Sequence, residues 1–371
     1  MPSNSTALVA NPEAVLADRP RVAVVAPDLA ILGGQGVQAV ALMERLRGDG
    51  YPVDFVPVNP AFPRGLQWLR RIPMMRTLLN EALYVPSLRK LAEADVVHAY
   101  SAAYWSFLLA PVPAMVAARR LGKRVILNYH SGEAADHLAR WGAVMRPMLG
   151  LAHEIVVPSA YLQQVFRRHG YRTRVVRNIV DTGAFRFRER KPLRPKWLSI
   201  RNLQRHYRVD VVIRAFARFR ERHPDATLVV AGYGAEAPRL QALARELGDR
   251  GIEFVGRVEP AQVPALYDAA DIFVNAAEID NQPVSVLEAF AAGLPVVSTG
   301  IGDITTMLRG GNAGVVVPCG NPAAFADAAS ALLADPARVE RLVAHARAEL
   351  GQYDWQAVRD GWRAAYAGDP L

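Results

Sequence analysis

Cysteine is almost missing from this chain: Cys319 is the single example among 371 residues. No disulfide can form within it, which suits a reducing, cytoplasmic compartment. No group of cysteines and histidines has zinc-ligand spacing, and no recognisable nucleic-acid module occurs. The first twenty residues, "MPSNSTALVANPEAVLADRP", lack both a basic start and a continuous apolar stretch. They read as a flexible leader, residues 1–18, and not as a signal peptide. Long apolar runs are scarce as well. The longest uncharged one, Ala99 to Ala118, approaches the ~20 residues that a membrane span needs. It follows a strand-like "DVVH" and carries Ser101, Ser106, Pro111 and Pro113, so a buried helix is the better reading. No short-period repeat and no low-complexity tract is present.

Acidic residues fall short of basic ones, 35 Asp and Glu against 44 Lys and Arg, for a formal charge of +9. Two regions carry much of the excess. Residues 64–90 hold Arg64, Arg70, Arg71, Arg76, Arg89 and Lys90 against Glu81 alone, and residues 167–191 hold nine Lys or Arg against Asp181 and Glu189. Such a balance suits an anionic partner: a membrane surface, a nucleic acid or a phosphorylated substrate. Charge alone does not choose among them.

The length fits two domains of ordinary size. Valine-rich runs such as "RVAVVAPDL" and "KRVILNYHS" alternate with helical stretches through the first half, which predicts a mainly parallel sheet. After a charged bridge, "FRFRERKPLRPK" (185–196), the pattern restarts with "WLSIRNL" and runs through "ATLVVAGYG", "IEFVGRV", "DIFVNAA", "LPVVST" and "AGVVVP". The expected architecture is α/β with two Rossmann-like domains, at 19–184 and 185–350, followed by a C-terminal helical segment, 351–371.

The stretch "EIDNQPVSVLEAFAAGLPVVST" (278–299) sets Asp280 and Glu288 around the start of one short helix. Asn281 suits an N-cap, Pro283 suits the first turn, and Gly293 ends the helix. The N–H groups of Val284, Ser285 and Val286 would then be free to receive an anion such as a diphosphate. Glu288, four residues beyond Val284, shares its face and could accept hydrogen bonds from ribose hydroxyls. Asp280 would face a second hydroxyl-rich group. On spacing alone, the stretch is equally a capped helix with a solvated Glu288 and a loop aspartate.

"DNQPVSVLEAFAAGLPVVST" resembles the signature of retaining nucleotide-sugar glycosyltransferases of the GT-B type, family 4. That pattern has an acidic residue, seven positions, then Glu, followed by A-x-A-x-G-x-P-V-V. The first position is usually Glu and here is Asp280. The resemblance implies a GT-B fold of two facing Rossmann-like domains, with the C-terminal helix returning to the first. It implies catalytic or sugar-contacting roles for Asp280, Glu288 and His130, with Glu288 on the ribose and Asp280 against the transferred sugar. The family's usual diphosphate-binding Arg and Lys are replaced in "IRNLQRHYRVD" by Asn202 and Tyr207. Arg201 and Arg205 stand close by to supply the charge. Gly232 in "AGYGAE" and Arg257 in "VGRV" occupy positions near the base and phosphate. "GGQG", with Gly33 and Gly34, is either a tight turn or the family's first glycine loop. Glu133 and His137 are weaker candidates for acceptor contacts.

The implied reaction moves a sugar from a nucleotide-diphosphate sugar to a glycan or lipid-linked acceptor, as in exopolysaccharide, lipopolysaccharide or glycolipid synthesis. No cofactor is expected beyond the co-substrate. No Asp-x-Asp occurs, so no essential metal is expected either. An anionic membrane surface is a further expected partner, giving a peripheral location on the inner face of the cell membrane; no nucleic acid is expected. Two rivals share the architecture: a hydrolysing nucleotide-sugar epimerase and a non-catalytic binding protein. A nicotinamide-dependent enzyme fits poorly, because "GGQGVQ" is not G-x-G-x-x-G and "VDFVPVN" ends without a suitable acid.

Overall fold

The computed structural model describes residues 19–28, 34–248 and 250–371, apart from the side chains of Arg70, Arg71 and Pro73. The leader and Gly33 lie outside the described residues. Twelve strands form among the described residues, and the central ones lie on apolar runs that are buried along their length, as in a parallel sheet covered on both faces. The first sheet contains β1 (Val22–Ala26), β2 (Val53–Pro57), β3 (Val96–Ser101), β4 (Arg124–Tyr129), β5 (Glu154–Val157) and β6 (Arg174–Val175), in the order β2-β1-β3-β4-β5-β6. Its strands pair in parallel from β2 through β5, with Val22 opposite both Val53 and Val96. The second contains β7 (Lys196–Ile200), β8 (Thr227–Ala231), β9 (Ile252–Gly256), β10 (Ile272–Asn275), β11 (Val296–Thr299) and β12 (Val315–Val317). Its order is β12-β11-β10-β7-β8-β9, parallel throughout.

The period-two alternation of side chains divides the second sheet's core into two layers. Trp197, Leu228, Val230, Ile272, Val274 and Val297 enter one cluster, with Phe216 and Phe219 of helix Val209–Arg222. Leu198, Phe273 and Val296 enter the other, with Tyr267, Leu287 and Phe290.

Compactness divides the described chain into two units. One falls within Met1–Tyr129, Ala143–Val156 and Arg363–Pro370, the other within His130–Gly142, Val157–Trp362 and Leu371. Helix Trp355–Ala367 thus runs from the second unit into the first. Within the first unit, its Ala365 carbonyl accepts a hydrogen bond from Arg124 Nε at 2.8 Å, and Tyr366 Oη lies 2.9 Å from His98 Nδ1.

The bridge at 185–196 is more than a connection. Buried Arg190 donates to the carbonyls of Tyr267, Ala270, Arg188 and Ala292 at 2.6–2.9 Å. Buried Asp271 accepts from Arg188 and Arg194, each at 2.8 Å. The basic run expected to meet an anionic partner is therefore spent partly on the second unit itself.

Candidate active site

In the second sheet the chain runs outward through β7, β8 and β9, then returns to lay β10 on the other side of β7. The loops that leave the carboxyl ends of β7 and β10 therefore part at a topological switch point, where open parallel sheets bind ligands. Arg201 begins the first loop, and residues 276–283 form the second.

The second loop is pinned by buried amide side chains. Ser159 Oγ donates to Asn281 Oδ1 at 2.6 Å. Gln282 Nε2 donates to the Pro158 carbonyl and to Asp303 Oδ2, while its own Oε1 and carbonyl accept from Asn178 at 3.0 Å. Asn281 is thus turned away from the helix it was expected to cap. Pro283 takes the cap position of helix Val284–Ala292, with no side-chain cap bond. Val286 N–H donates to the Pro283 carbonyl at 3.1 Å, so it is not one of the free amides expected. Val284 and Ser285, at the first two helical positions, have no intrahelical acceptor.

Asp280 is gripped from two sides. A Cβ on Gly132 would lie 2.8 Å from the Asp280 carbonyl carbon, and one on Gly302 would lie 2.3 Å from its oxygen. Only glycine allows both approaches. Asp280 Oδ1 accepts the N–H of Asn281 at 2.9 Å, and Oδ2 accepts from Arg201 Nη2. This ion pair is little exposed, at 9% for the arginine side chain and 13% for the aspartate. Arg201 Nη1 also donates to Ser285 Oγ at 3.2 Å, and its guanidinium lies 4.2 Å from the Tyr207 ring centroid. Arg201 Nε is buried without a hydrogen-bond partner. The arginine therefore links the loop after β7 to both Asp280 and the start of the helix.

Arg208 repeats the link one turn on. It bonds Glu278, and Glu278 N–H donates to the His206 carbonyl at 2.8 Å. Glu288 is held by Tyr267, whose hydroxyl lies 2.8 Å from Glu288 Oε2 and 2.9 Å from the Ser285 carbonyl. Burial pushes the Glu288 carboxyl up to about 7, against the Tyr267 hydrogen bond and the charge of Arg201.

A pocket of about 540 Å³ opens beside this group, lined by Gly132, Glu133, Tyr161, Glu278, Asp280 and Gly302 among others. Glu133 thus joins Asp280 in one wall. Burial pushes His130, just before this wall, down to about 4, so its imidazole is neutral at ordinary pH. Gly232 belongs to the scaffold: at φ +138°, its Cβ would fall 1.8 Å from the Arg201 carbonyl oxygen. Arg205 is exposed on the turn Arg205–Tyr207. Arg257 is exposed and pairs with Glu259 at 3.1 Å. Gly34 starts helix Gly34–Gly48 in the first unit, where Gln35 Nε2 donates to the Ser101 carbonyl at 3.0 Å. Tyr267, Gly132 and Gly302 carry no signal in the spacing of the acidic pair, since each reaches it through the fold. The "HSG" that ends the β4 run was the one available hint for Gly132.

The two parallel-sheet units define a class by their architecture, the GT-B fold, and matches over both halves of the chain support a glycosyltransferase. Those halves match the families described as Glycosyltransferase Family 4, over residues 32–184, and Glycosyl transferases group 1, over residues 194–335. It is 29% identical over 289 residues to a glycogen synthase of Mycobacterium tuberculosis (strain ATCC 25618 / H37Rv), covering 73% of this chain and 68% of that one. It is 32% identical over 185 residues to a D-inositol 3-phosphate glycosyltransferase of Corynebacterium jeikeium (strain K411), covering 47% of this chain and 44% of that protein. The fold is similar to that of Anabaena HepE in complex with UDP-glucose, with a TM-score of 0.72, 16% identity and 94% and 100% of the two chains covered.

Proposed function

We propose that this protein is a retaining glycosyltransferase that moves a sugar from a nucleotide-diphosphate sugar to a glycan or lipid-linked acceptor. The observation that carries the reading is the start of helix Val284–Ala292, whose open amides lie between Asp280 and Glu288 with Arg201 bonded to Ser285. A diphosphate seated there meets the positive end of the helix and a buried guanidinium. Glu288 then takes the ribose hydroxyls, and Asp280 and Glu133 face the sugar in the 540 Å³ pocket.

In the reaction the bond from the sugar's anomeric carbon to the diphosphate oxygen breaks, and its electron pair stays on the diphosphate. The acceptor hydroxyl oxygen bonds to the same carbon from the face the nucleotide leaves, and its proton passes to the departing phosphate. The helix amides and Arg201 stabilise the charge that builds there. His130, neutral, serves as a hydrogen-bonding contact to the sugar. The arginine and the amides do the work a divalent ion would do, so turnover in excess chelator is expected to match turnover without it.

A screen of nucleotide sugars with and without membrane lipid extract tests the reading, starting from UDP-glucose because the HepE complex holds it. The anomeric configuration of the product, read by NMR, tests retention. Release of free nucleotide with an epimerised sugar and no need of an acceptor would replace this reading with the epimerase.

The acceptor arrives at an anionic membrane surface. Exposed Trp68, Met74 and Leu78 stand with Arg64 and Arg76 on the segment that includes helix Pro73–Ser87. No described helix is long and apolar enough to cross a membrane; the proposed contact is an interfacial one made by these exposed side chains.

A further inference from the structure

Three oxygens meet behind the start of helix Val284–Ala292: Tyr267 Oη, Glu288 Oε2 at 2.8 Å and the Ser285 carbonyl at 2.9 Å. Tyr267 is fully buried, on helix Val263–Ala269. Its hydroxyl has one proton to give, and both neighbours stand at hydrogen-bond distance. If that proton goes to Ser285, the Tyr267–Glu288 contact needs a proton on the carboxyl. If it goes to Glu288, the Tyr267–Ser285 contact sets two acceptors together with no proton between them. Both contacts are satisfied only when the carboxyl carries a proton.

We infer that Tyr267 is the positioning residue for Glu288, and that seating a nucleotide sugar releases the proton shared by Tyr267, Glu288 and the Ser285 carbonyl. The inference rests on the proposed role of Glu288 as acceptor for the ribose hydroxyls. A carboxylate accepts a hydroxyl on each oxygen, whereas a protonated carboxyl must turn one oxygen into a donor. The ligand therefore favours the ionised form, and the proton leaves to solvent. Tyr267 then swings its own proton from the Ser285 carbonyl to Glu288 and keeps the carboxylate aimed.

Arg201, the other charged group acting on Glu288, and the titratable groups beside that arginine do not perform this exchange. Arg201, on the loop after β7, stays positive and is held by Asp280, Ser285 Oγ and the Tyr207 ring. Burial pushes Tyr207 above its ordinary range. Burial pushes His206 on the same loop down from its ordinary value, so it is largely neutral where Glu288 titrates. The Glu288 midpoint near 7 places the exchange within reach of ordinary buffers.

The test is calorimetry of UDP-glucose, GDP-mannose and ADP-glucose binding to the whole protein, at pH 6.5 in two buffers of different ionisation enthalpy. The doubly esterified diphosphate of these probes does not titrate near neutrality. For the probe that binds, the wild type is expected to release more than half a proton, with affinity rising with pH across neutrality. Glu288→Gln is expected to release none and to bind with no pH dependence over the same range. Tyr267→Phe keeps the ring but removes the hydroxyl that donates to the ionised carboxylate; that charge-assisted bond outweighs the one made to the protonated form, so the midpoint of the pH dependence should rise by about one unit. A merely structural role for Tyr267 would leave that midpoint in place. Binding with no proton release, or with uptake, overturns the inference and leaves the donor reading standing. The wild-type proton count alone decides this, even if a variant fails to fold. Absence of binding by every probe overturns the donor reading, and this inference with it.

Discussion

Glu288 carries a cost that its neighbours reveal. Its carboxyl ionises near 4.5 in an unfolded chain and near 7 here, because burial opposes the charge. Between these values the folded state binds more protons than the unfolded one, so this residue's contribution to stability falls as pH rises from 4.5 to 7. A difference of that size is worth about 3 kcal/mol. Glu288→Gln should therefore leave the melting temperature at pH 5 nearly unchanged and raise it at pH 8. Equal changes at both pH values would show that the carboxyl is not held as described. Gly302 makes the opposite case. Its φ is +56°, and a Cβ would meet the Asp280 carbonyl oxygen at 2.3 Å. Gly302→Ala should destabilise by about 1–3 kcal/mol and displace Asp280, read as a lower denaturation midpoint together with lost donor turnover. Unchanged turnover in a folded Gly302→Ala protein would detach Asp280 from the chemistry. The acidic pair itself was legible, because eight positions around a proline-led helix leave a pattern. Its partners were not. Arg201 meets Asp280 only because β7 and β10 are neighbours in space, although 79 positions separate the two residues.

At the scale of elements, the sequence carried the strands well and their supports poorly. All twelve described strands lie on runs legible as strands; the central ones are buried throughout, since a parallel strand covered on both faces must be apolar, while the outer β2, β6, β9 and β12 are only partly buried. The cap of the key helix was misjudged, because Asn281 has a competing partner, Ser159, that no local pattern announces. The bridge at 185–196 likewise hid a clamp. Arg190 closes four carbonyls from three places in the chain, and burial holds its guanidinium down at about 10. Arg190→Met keeps the stem and strands those acceptors, a loss of about 3 kcal/mol or more by analogy with broken buried ion networks. Urea denaturation checks it, and a change under about 1 kcal/mol would mean water replaces the guanidinium. The segment 64–87 presents the reverse pattern, apolar groups left outside. Met74 is 77% exposed, Leu78 63% and Trp68 60%. An interfacial segment of this kind binds by apolar insertion plus about 1 kcal/mol for each basic residue at an anionic surface. Co-sedimentation with anionic vesicles at low salt should exceed that with neutral ones, and should weaken about tenfold or more in Trp68→Ser/Leu78→Ser. Equal, negligible binding to both vesicle types would remove the membrane contact and leave the transferase reading intact.

Across the whole molecule, acid should unfold this protein through its histidines before its carboxylates. Burial pushes His130 and His137 down to about 4 each, and also lowers His153 and His206. An unfolded histidine takes its proton near 6.5, so between that value and 4 the unfolded chain binds more protons. Stability present above pH 6.5 is therefore lost as pH falls through this window, at about 1.4 kcal/mol for each tenfold weakening of a histidine's proton affinity. Glu288 works against the trend, gaining stability as pH falls from 7 to 4.5, and Asp303 and Glu81, both raised by burial, act in the same sense at lower pH. The net expectation is a melting temperature that declines from pH 6.5 downward, well before ordinary carboxylates titrate. His137 is fully buried, edge-on to Trp141 with ring centroids 5.7 Å apart. His137→Gln, which cannot take up a proton, should flatten the decline between pH 6.5 and 4.5 by about 2–3 kcal/mol. Glu288→Gln should steepen it, because the compensating group is gone. Thermal melts of the three proteins at half-unit steps of pH measure both changes. A flat wild-type curve down to pH 4.5, or parallel curves for all three, would show that these side chains are solvated and that the enclosure described around them does not persist in solution.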